Sequence, residues 1–375
     1  MGLLTGGLPD FPWDTLVPFK DRARRHPDGL VDLSVGTPVD PTPALVREAL
    51  AAAADAPGYP TTHGTAALRE AVVDWFARRR GVPGLDPDAV LPTVGSKELV
   101  AWLPSLLGLG EGDVVVHPEC AYPTYDVGAR LAGATPLPAD DVSVWERRDD
   151  VRLVWLNSPS NPTGEVLGVE DLRRAVAAAR RIGAVVASDE CYALLPWAEP
   201  WVTRGVPSVL DPAVTDGDVR GLLAVHSLSK QSNLAGYRAA FVAGDPALVR
   251  RLLEIRKHAG MIVPAPVQAA MATALADDEH VAQQRERYRR RRAALLRGLE
   301  AAGLEVDGSP AGLYLWARAA GAGQDCWATV GDLADQGILV APGSFYGPAA
   351  ARHVRVALTA SDEDVVRAAA RLEGA

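Results

Sequence analysis

The stretch VRLVWLNSPSNPTGEVLGVEDLRRAVAAARRIGAVVASDECY, residues 151–192, decides the fold. Val151–Asn157 is a short apolar run of strand length. A turn rich in Asn, Pro and Gly follows it, and from Val169 to Arg181 apolar residues recur at helical spacing. Ala184–Ser188 is a second apolar run. Apolar strands alternating with a helix read as a parallel sheet covered on both faces.

The same texture extends outward. Further apolar runs lie at Val114–His117, Leu222–Ser227 and Ala239–Ala243. Upstream, a helix is expected after Pro43, with Leu45, Ala49, Leu50 and Ala53 on one face. Pro57 to Gly64 reads as loop, and Thr65 caps a helix running to about Arg80 through Leu68, Val72 and Phe76. VLPTVGS, residues 90–96, reads as a turn before a helix starting near Ser96. Residues 1–43 read as irregular, rich in Pro and Gly. Beyond about residue 250 the pattern changes to α+β. A charged helix covers roughly 279–302, strands fall near 313–317, 338–341 and 353–358, and helices near 327–336 and 361–372. The expected organisation is an α/β large domain over 44–250 around a mainly parallel sheet, and a smaller α+β domain from 1–43 plus 251–375.

Composition narrows the function. Of 375 residues, 48% are hydrophobic and 23% charged, which suits a folded enzyme-sized chain. The net charge of −9 argues against general nucleic-acid binding, and the run Arg289–Arg292 then reads as a solvated helix face. Cys120, Cys191 and Cys326 lie far apart with no CxxC pair, so free thiols in a reducing cytoplasm are expected rather than disulfides or a metal site. The opening MGLLTGGLPDFPWDTL lacks a basic region followed by an apolar run, and no stretch of 18 apolar residues occurs, so neither a signal peptide nor a membrane span is expected.

Four clusters carry candidate chemistry. TVGSKEL, residues 93–99, is a Gly-Ser turn opening a helix, which presents free backbone N–H groups to an anion. NSPSNPTG (157–164) and SDECY (188–192) each follow an apolar run; an acid at the C-terminal end of a strand points into the crevice where α/β sheets bind ligands. SLSK (227–230) ends another run and is followed by QSNLAGYR, which closes on Arg238. Singly each has a plain structural explanation as a turn, a cap or a surface lysine. Together they supply an amine, an acid, hydrogen-bonding side chains and an anion cradle.

In that order the clusters resemble the fold-type I enzymes that use pyridoxal 5'-phosphate (PLP), specifically the class I/II aminotransferases, from about Asp32 to Leu358. The resemblance implies that Lys230 holds the cofactor as a Schiff base, that Asp189 pairs with its pyridine nitrogen, and that Tyr192 and Asn161 hydrogen-bond its phenolic oxygen. It implies that Tyr122 stacks on the ring and that Gly95, Ser96, Lys97, Ser227 and Arg238 bind the phosphate. Tyr59 is similar to a tyrosine that reaches the phosphate from a neighbouring subunit, which implies a homodimer. Arg355 matches the clamp for the substrate α-carboxylate, with Gly36 and Asn161 beside it. LPDFPWDTLVPFKDRA, TVGSKELVAWLPSLLGLG and SLSKQSNLAGYR resemble the N-succinyldiaminopimelate aminotransferases, which implies N-succinyl-L,L-diaminopimelate and 2-oxoglutarate as substrates in lysine and diaminopimelate synthesis. Lys20, Arg22, Arg24 and Arg25 are candidates for the extra carboxylates of that substrate, or plain surface charges. An aminotransferase for aspartate, alanine or an aromatic amino acid stays open, as does a PLP-dependent lyase of the same fold.

Overall fold

The apolar runs become neighbouring strands because each is too apolar to face water and too short to span the molecule alone. The computed structural model describes residues 8–9, 11–321 and 323–374. One seven-stranded sheet has the order Val90–Val94, Ala239–Gly244, Leu222–Ser227, Val185–Asp189, Val151–Asn157, Val114–His117, Thr135–Pro138. Ala239–Gly244 runs antiparallel to both of its neighbours, and the other pairs are parallel. The fold is α/β with the mainly parallel sheet expected. Successive strand residues serve opposite faces. Leu222 and Ala224 join the core formed with Ala66–Arg80, Val169–Ile182 and Ala265–Ala276. Leu223 and Val225 join the core formed with Ser96–Leu106, Thr124–Ala132 and Pro246–Ala259.

Two strands differ from expectation, and for one reason. The segment read as a turn at 90–96 holds the strand Val90–Val94, and the strand Thr135–Pro138 was not anticipated. Both contain proline, and both lie at the outer edges of the sheet. Proline lacks the N–H that a central strand must donate, so an edge is where it is tolerated.

The C-terminal part builds a second sheet, antiparallel, in the order Ala341–Pro342, His353–Ala357, Tyr314–Ala319, Leu304–Val306. Its own apolar cluster includes Leu295, Leu315, Val330 and Val356. The N-terminal segment is more ordered than expected: Pro12–Leu16 is a 3-10 turn and Val17–Ala23 an α-helix. Phe19 packs on Trp327 at 5.4 Å between ring centres, and Val31–Asp32 pairs in parallel with Ile338–Leu339. Met1 to Gly7 and Asp10 lie outside the described residues, and with them part of the opening judged free of a signal sequence. Among the described residues no helix is long and apolar enough to cross a membrane. The three cysteines are free thiols, Cys191 and Cys326 buried and Cys120 half-buried.

The arginine run on Glu279–Ala301 is not simply a solvated face. Arg289 pairs with Glu286 at 2.6 Å, whereas Arg291 is buried and bridges Asp40 (2.6 Å) and Asp362 (2.5 Å). That arginine ties the N-terminal segment to the last helix.

Around the C-terminal ends of the strands Val185–Asp189 and Leu222–Ser227 lies a group of buried polar residues. Arg80 and Glu190 form an ion pair at 2.7 Å with both side chains 2% exposed. Glu190 also accepts from Ser208 Oγ (3.1 Å) and the Val209 N–H (2.8 Å). His226 sits between the Glu190 carbonyl oxygen (3.1 Å) and the Gln231 side-chain amide (2.8 Å), against the Trp75 ring at 4.4 Å. Burial lowers its pKa to about 4, and Arg80 adds to this against the imidazole's hydrogen bonds to the Gln231 and Glu190 oxygens. A folded-state pKa below the unfolded value means that the unfolded chain binds the proton first. The stability conferred by neutral His226 is therefore present above about pH 6.5 and lost as the pH falls toward about 4. The difference in unfolding free energy between the cofactor-free protein and His226→Phe should shrink by about 3 kcal/mol between about pH 7 and about pH 4. Denaturant unfolding at several pH values measures it, and a constant difference would contradict the buried neutral imidazole.

Candidate active site

The strands of the large sheet end on the same side with different chemical groups. Asn157, Asp189 and Ser227 are the last residues of three strands, and Asn157 is the register partner of Asp189. Strand ends of this kind open into a crevice, and here a cavity of about 440 Å³ lies there. Ser96, Lys97, Tyr122, Asn161, Asp189, Tyr192, Ser227, Lys230, Arg238, Arg355 and Gly36 all line it. Residues chosen from clusters up to 319 positions apart (Gly36 to Arg355) thus meet in one place.

Lys230 sits on the one-turn helix Leu228–Gln231 that Ser227 caps, its Oγ accepting from the Ser229 N–H at 3.1 Å. Tyr288, from the long C-terminal helix, donates to the Lys230 carbonyl at 3.1 Å and fixes its backbone. The Lys230 Nζ donates to the Gly36 carbonyl. Burial lowers the ammonium's pKa, and Arg355 and Arg238 push the same way against Tyr314 and Cys191. A lysine so placed is easier to obtain as the free amine than a surface one.

Asp189 accepts from the Tyr125 hydroxyl (2.9 Å) and the Cys191 N–H (3.2 Å). Burial raises its pKa, and those hydrogen bonds only partly offset this. Among the described residues it forms no ion pair, whereas its neighbour Glu190 is matched by Arg80. A carboxyl in that setting is stabilised as an anion by a cationic ligand.

A candidate anion cradle lines the same cavity. The helix Ser96–Leu106 begins after Gly95 without a side-chain cap, so its first N–H groups face the cavity unshared. A Cβ on Gly95 would stand 2.2 Å from Arg238 Nη2, and Gly95 has φ +77°. Only glycine lets this guanidinium close on the helix start. Arg238 itself holds the left-handed φ of 56°, the kind of strain that accumulates at ligand sites.

Arg355 reaches the cavity from the second sheet. It donates to Asn161 Oδ1 (2.9 Å) and the Ser34 carbonyl (2.8 Å), and its Cζ lies 3.9 Å from the Tyr314 ring centre. Its buried Nε has no partner among the described residues.

With this geometry, relatives and neighbours are informative. The family described as aminotransferase class I and II matches residues 28–372. The chain belongs to that family. It is 61% identical to a probable aminotransferase of Mycobacterium tuberculosis, over 99% of this chain and 87% of the relative. It is 58% identical to 4-dedimethylamino-4-oxo-anhydrotetracycline transaminase of Streptomyces rimosus, over 97% of this chain and 99% of the relative. Among solved structures, a probable N-succinyldiaminopimelate aminotransferase from Thermus thermophilus superposes with a TM-score of 0.85 at 30% identity, over 97% of this chain and 100% of that one. This aminotransferase is therefore a PLP-dependent transaminase of fold type I. Its cavity fits the cofactor: a buried amine, a buried carboxyl without a cationic partner and a guanidinium beside a free helix start are all present.

Sequence reasoning placed Tyr59 among the cofactor residues, but it does not line the cavity of its own chain and is fully exposed. It missed Tyr125, Tyr314, Phe11 and Trp13. Tyr125 stood within the AYPTY already singled out for Tyr122, three residues on and so on the adjoining helix turn. Tyr314 carried no spacing signal, because GLYLWA reads only as strand.

Gly95→Ala tests the cradle. A side chain there displaces Arg238 and forces a left-handed alanine, so PLP affinity of the cofactor-free protein should fall about tenfold or more. Fluorescence titration with PLP measures it; unchanged affinity would remove Arg238 and this helix start from the phosphate site.

Proposed function

We propose that this chain transfers an amino group between an α-amino acid and a 2-oxo acid, with Lys230 as the residue that attaches the cofactor and Arg355 as the grip on the substrate α-carboxylate. The observation that carries this is the buried Lys230 amine in one cavity with Asp189 and Arg355. When bound, PLP supplies an aldehyde carbon for attachment and a ring that accepts electron density. Asp189 holds positive charge on the pyridine nitrogen, Tyr192 and Asn161 hold the phenolic oxygen, and Tyr122 covers the ring. Ser96, Ser227, Arg238 and the backbone N–H of Lys97 hold the phosphate. Arg355 has a free Nε beside the nitrogens committed to Asn161 and Ser34, which suits a carboxylate. Lys230, once released, takes the proton from the substrate Cα. Two half-reactions sharing one site give ping-pong kinetics.

The substrate side chain is read from the cavity's outer wall. The resemblance to N-succinyldiaminopimelate aminotransferases, which the Thermus structure supports, points to N-succinyl-L,L-diaminopimelate with 2-oxoglutarate, and Lys97 is the cation at hand for a distal carboxylate. Lys20, Arg22 and Arg24 are paired with Asp32, Asp335 and Asp21 and do not line the cavity. Phe11, Trp13 and Val35 make the rest of that wall apolar, and the Streptomyces relative is named for a tetracycline-type ketone. Those two observations favour a second reading, a large ring-bearing amino acceptor.

The same proposal includes a homodimer, with the exposed Tyr59 completing the partner's phosphate site, and a cytoplasmic location. It also includes a two-domain chain. The separate apolar clusters support that division, and the packing of Ala265–Ala276 with Ala44–Ala52 and Ala66–Arg80 favours a boundary nearer residue 277 than 250.

Lys230→Ala should still bind PLP, without covalent attachment, and complete no multiple turnovers; normal turnover would end the assignment. The visible spectrum of the PLP-loaded protein distinguishes the substrates. Loss of its long-wavelength band on adding N-succinyl-L,L-diaminopimelate, restored by 2-oxoglutarate, supports the diaminopimelate reading. A response to glutamate, reversed by a bulky aromatic 2-oxo acid and not by the succinylated acceptor, selects the ring-bearing one.

A further inference from the structure

Tyr314 begins a strand of the second sheet and has three contacts that meet at the cavity. Its ring lies under Arg355, with the guanidinium carbon 3.9 Å from the ring centre. Its hydroxyl is 3.1 Å from the Tyr192 hydroxyl, and the two rings meet edge to face. The same hydroxyl fills the space where a Cβ on Gly36 would stand, at 2.1 Å, and the Gly36 carbonyl is the one that receives the Lys230 ammonium. One phenol thus touches the carboxylate grip, the tyrosine assigned to the cofactor's phenolic oxygen and the backbone that holds the catalytic amine.

Two phenols sharing one hydrogen bond must choose a donor. If Tyr192 donates to Tyr314, its only proton is spent. If Tyr314 donates, the Tyr192 proton is free for a ligand oxygen. We propose that Tyr314 is a positioning residue for transamination: its hydroxyl donates to Tyr192 and so frees the Tyr192 proton for the cofactor oxygen, while its ring is the platform for Arg355. This rests on the roles proposed above for Tyr192 and Arg355.

The surrounding charges favour that direction. Two cations stand beside Tyr314: Arg355 lies over its ring at 3.9 Å, and Lys230 is held by Gly36, the residue that the Tyr314 hydroxyl touches. Burial works to raise the pKa of Tyr314, but Arg355, Lys230 and the hydrogen bond shared with Tyr192 together bring it below the ordinary phenol value, with Asp189 opposing. Burial pushes Tyr192 well up, and Tyr314, Cys191 and Asp189 add to that. The more acidic phenol is the better donor. The ring contact is independent of the proton, because a guanidinium over an aromatic face is held by the ring's quadrupole.

Two substitutions separate the two jobs. Tyr314→Phe keeps the ring and loses the hydroxyl; Tyr314→Leu loses both. With Tyr314→Phe, kcat should fall about tenfold with KM for the amino acid held within about twofold, and the pH midpoint of the loaded protein's visible band should move. With Tyr314→Leu, KM should rise about tenfold as well. In the cofactor-free protein, ultraviolet phenol titration should lose its most acidic buried tyrosine in both variants. Tyr192→Phe combined with Tyr314→Phe should match Tyr192→Phe alone in the band midpoint, because the hydroxyl acts only through Tyr192. An unmoved midpoint in Tyr314→Phe, additive effects in the double variant, or an equal KM rise in both single variants would overturn the proposal. Failure of the functional reading looks different: the unsubstituted, loaded protein would show no spectral response to any amino donor.

Discussion

Two adjacent acids at the end of one strand are treated in opposite ways, and the site is organised around the difference. Glu190 is met by Arg80, Ser208 and the Val209 amide, so its charge is balanced inside the protein. Among the described residues Asp189 receives the Tyr125 hydroxyl and the Cys191 amide and no cation, and burial drives its pKa upward. Removing a carboxylate from water without a counterion is costly, and two neutral hydrogen bonds do not cancel that cost. The protein therefore carries, in the wall of its cavity, an acid that is relieved by a cation brought from outside. A protonated pyridine ring is such a cation.

The sheet fixes where that acid points. Parallel strands bring Asn157, Asp189 and Ser227 to one edge, and the antiparallel strand Ala239–Gly244 returns the chain so that Arg238, immediately before it, faces the same cleft. The proline-bearing strands sit outside this row, where a missing N–H does not interrupt the ladder between the functional strands. The second sheet then supplies what the first lacks. Arg355 and Tyr314 come from facing strands and share the cavity with the ends of the large sheet, so the substrate grip and the cofactor floor belong to different apolar clusters. Arg291 fastens the N-terminal segment to the last helix, which explains why one arginine of a basic run is buried while Arg289 stays in solvent.

What was legible in the sequence follows the same physics. Val114–His117, Val151–Asn157 and Leu222–Ser227 were readable to the residue, because a strand covered on both faces has no polar alternation to blur its ends. Val90–Val94 and Thr135–Pro138 were not, because proline at an edge carries the same local signal as proline in a turn. Lys230, Asp189 and Asn161 stand in turn-rich clusters at strand ends, and it was the order of those clusters, through the family resemblance, that singled them out. Tyr125 and Tyr314 were not legible: their roles come from a hydroxyl meeting Asp189 or Tyr192 across 64 or 122 residues, and nothing in the neighbouring sequence marks that.

The charge distribution also bears on selectivity. Cations lining the cavity are Lys97, Lys230, Arg238 and Arg355, and three of them have tasks at the cofactor or the α-carboxylate. The basic residues of the N-terminal helix are held by acids on the second sheet's side of the molecule and leave the outer wall to Phe11, Trp13 and Val35. Lys97 lies 5.6 Å from the Phe11 ring, so even the remaining cation faces an aromatic surface. A pocket of this kind discriminates side chains by shape and apolar area, with a single anion-binding point. A substrate bearing two further carboxylates would meet one cation on this wall, and a fused-ring ketone would meet its apolar side chains. Which fits better depends on a wall built by the N-terminal segment, the part of the chain whose order rests on the packing of Phe19 against Trp327 and of Trp13 against Phe345 rather than on the sheet.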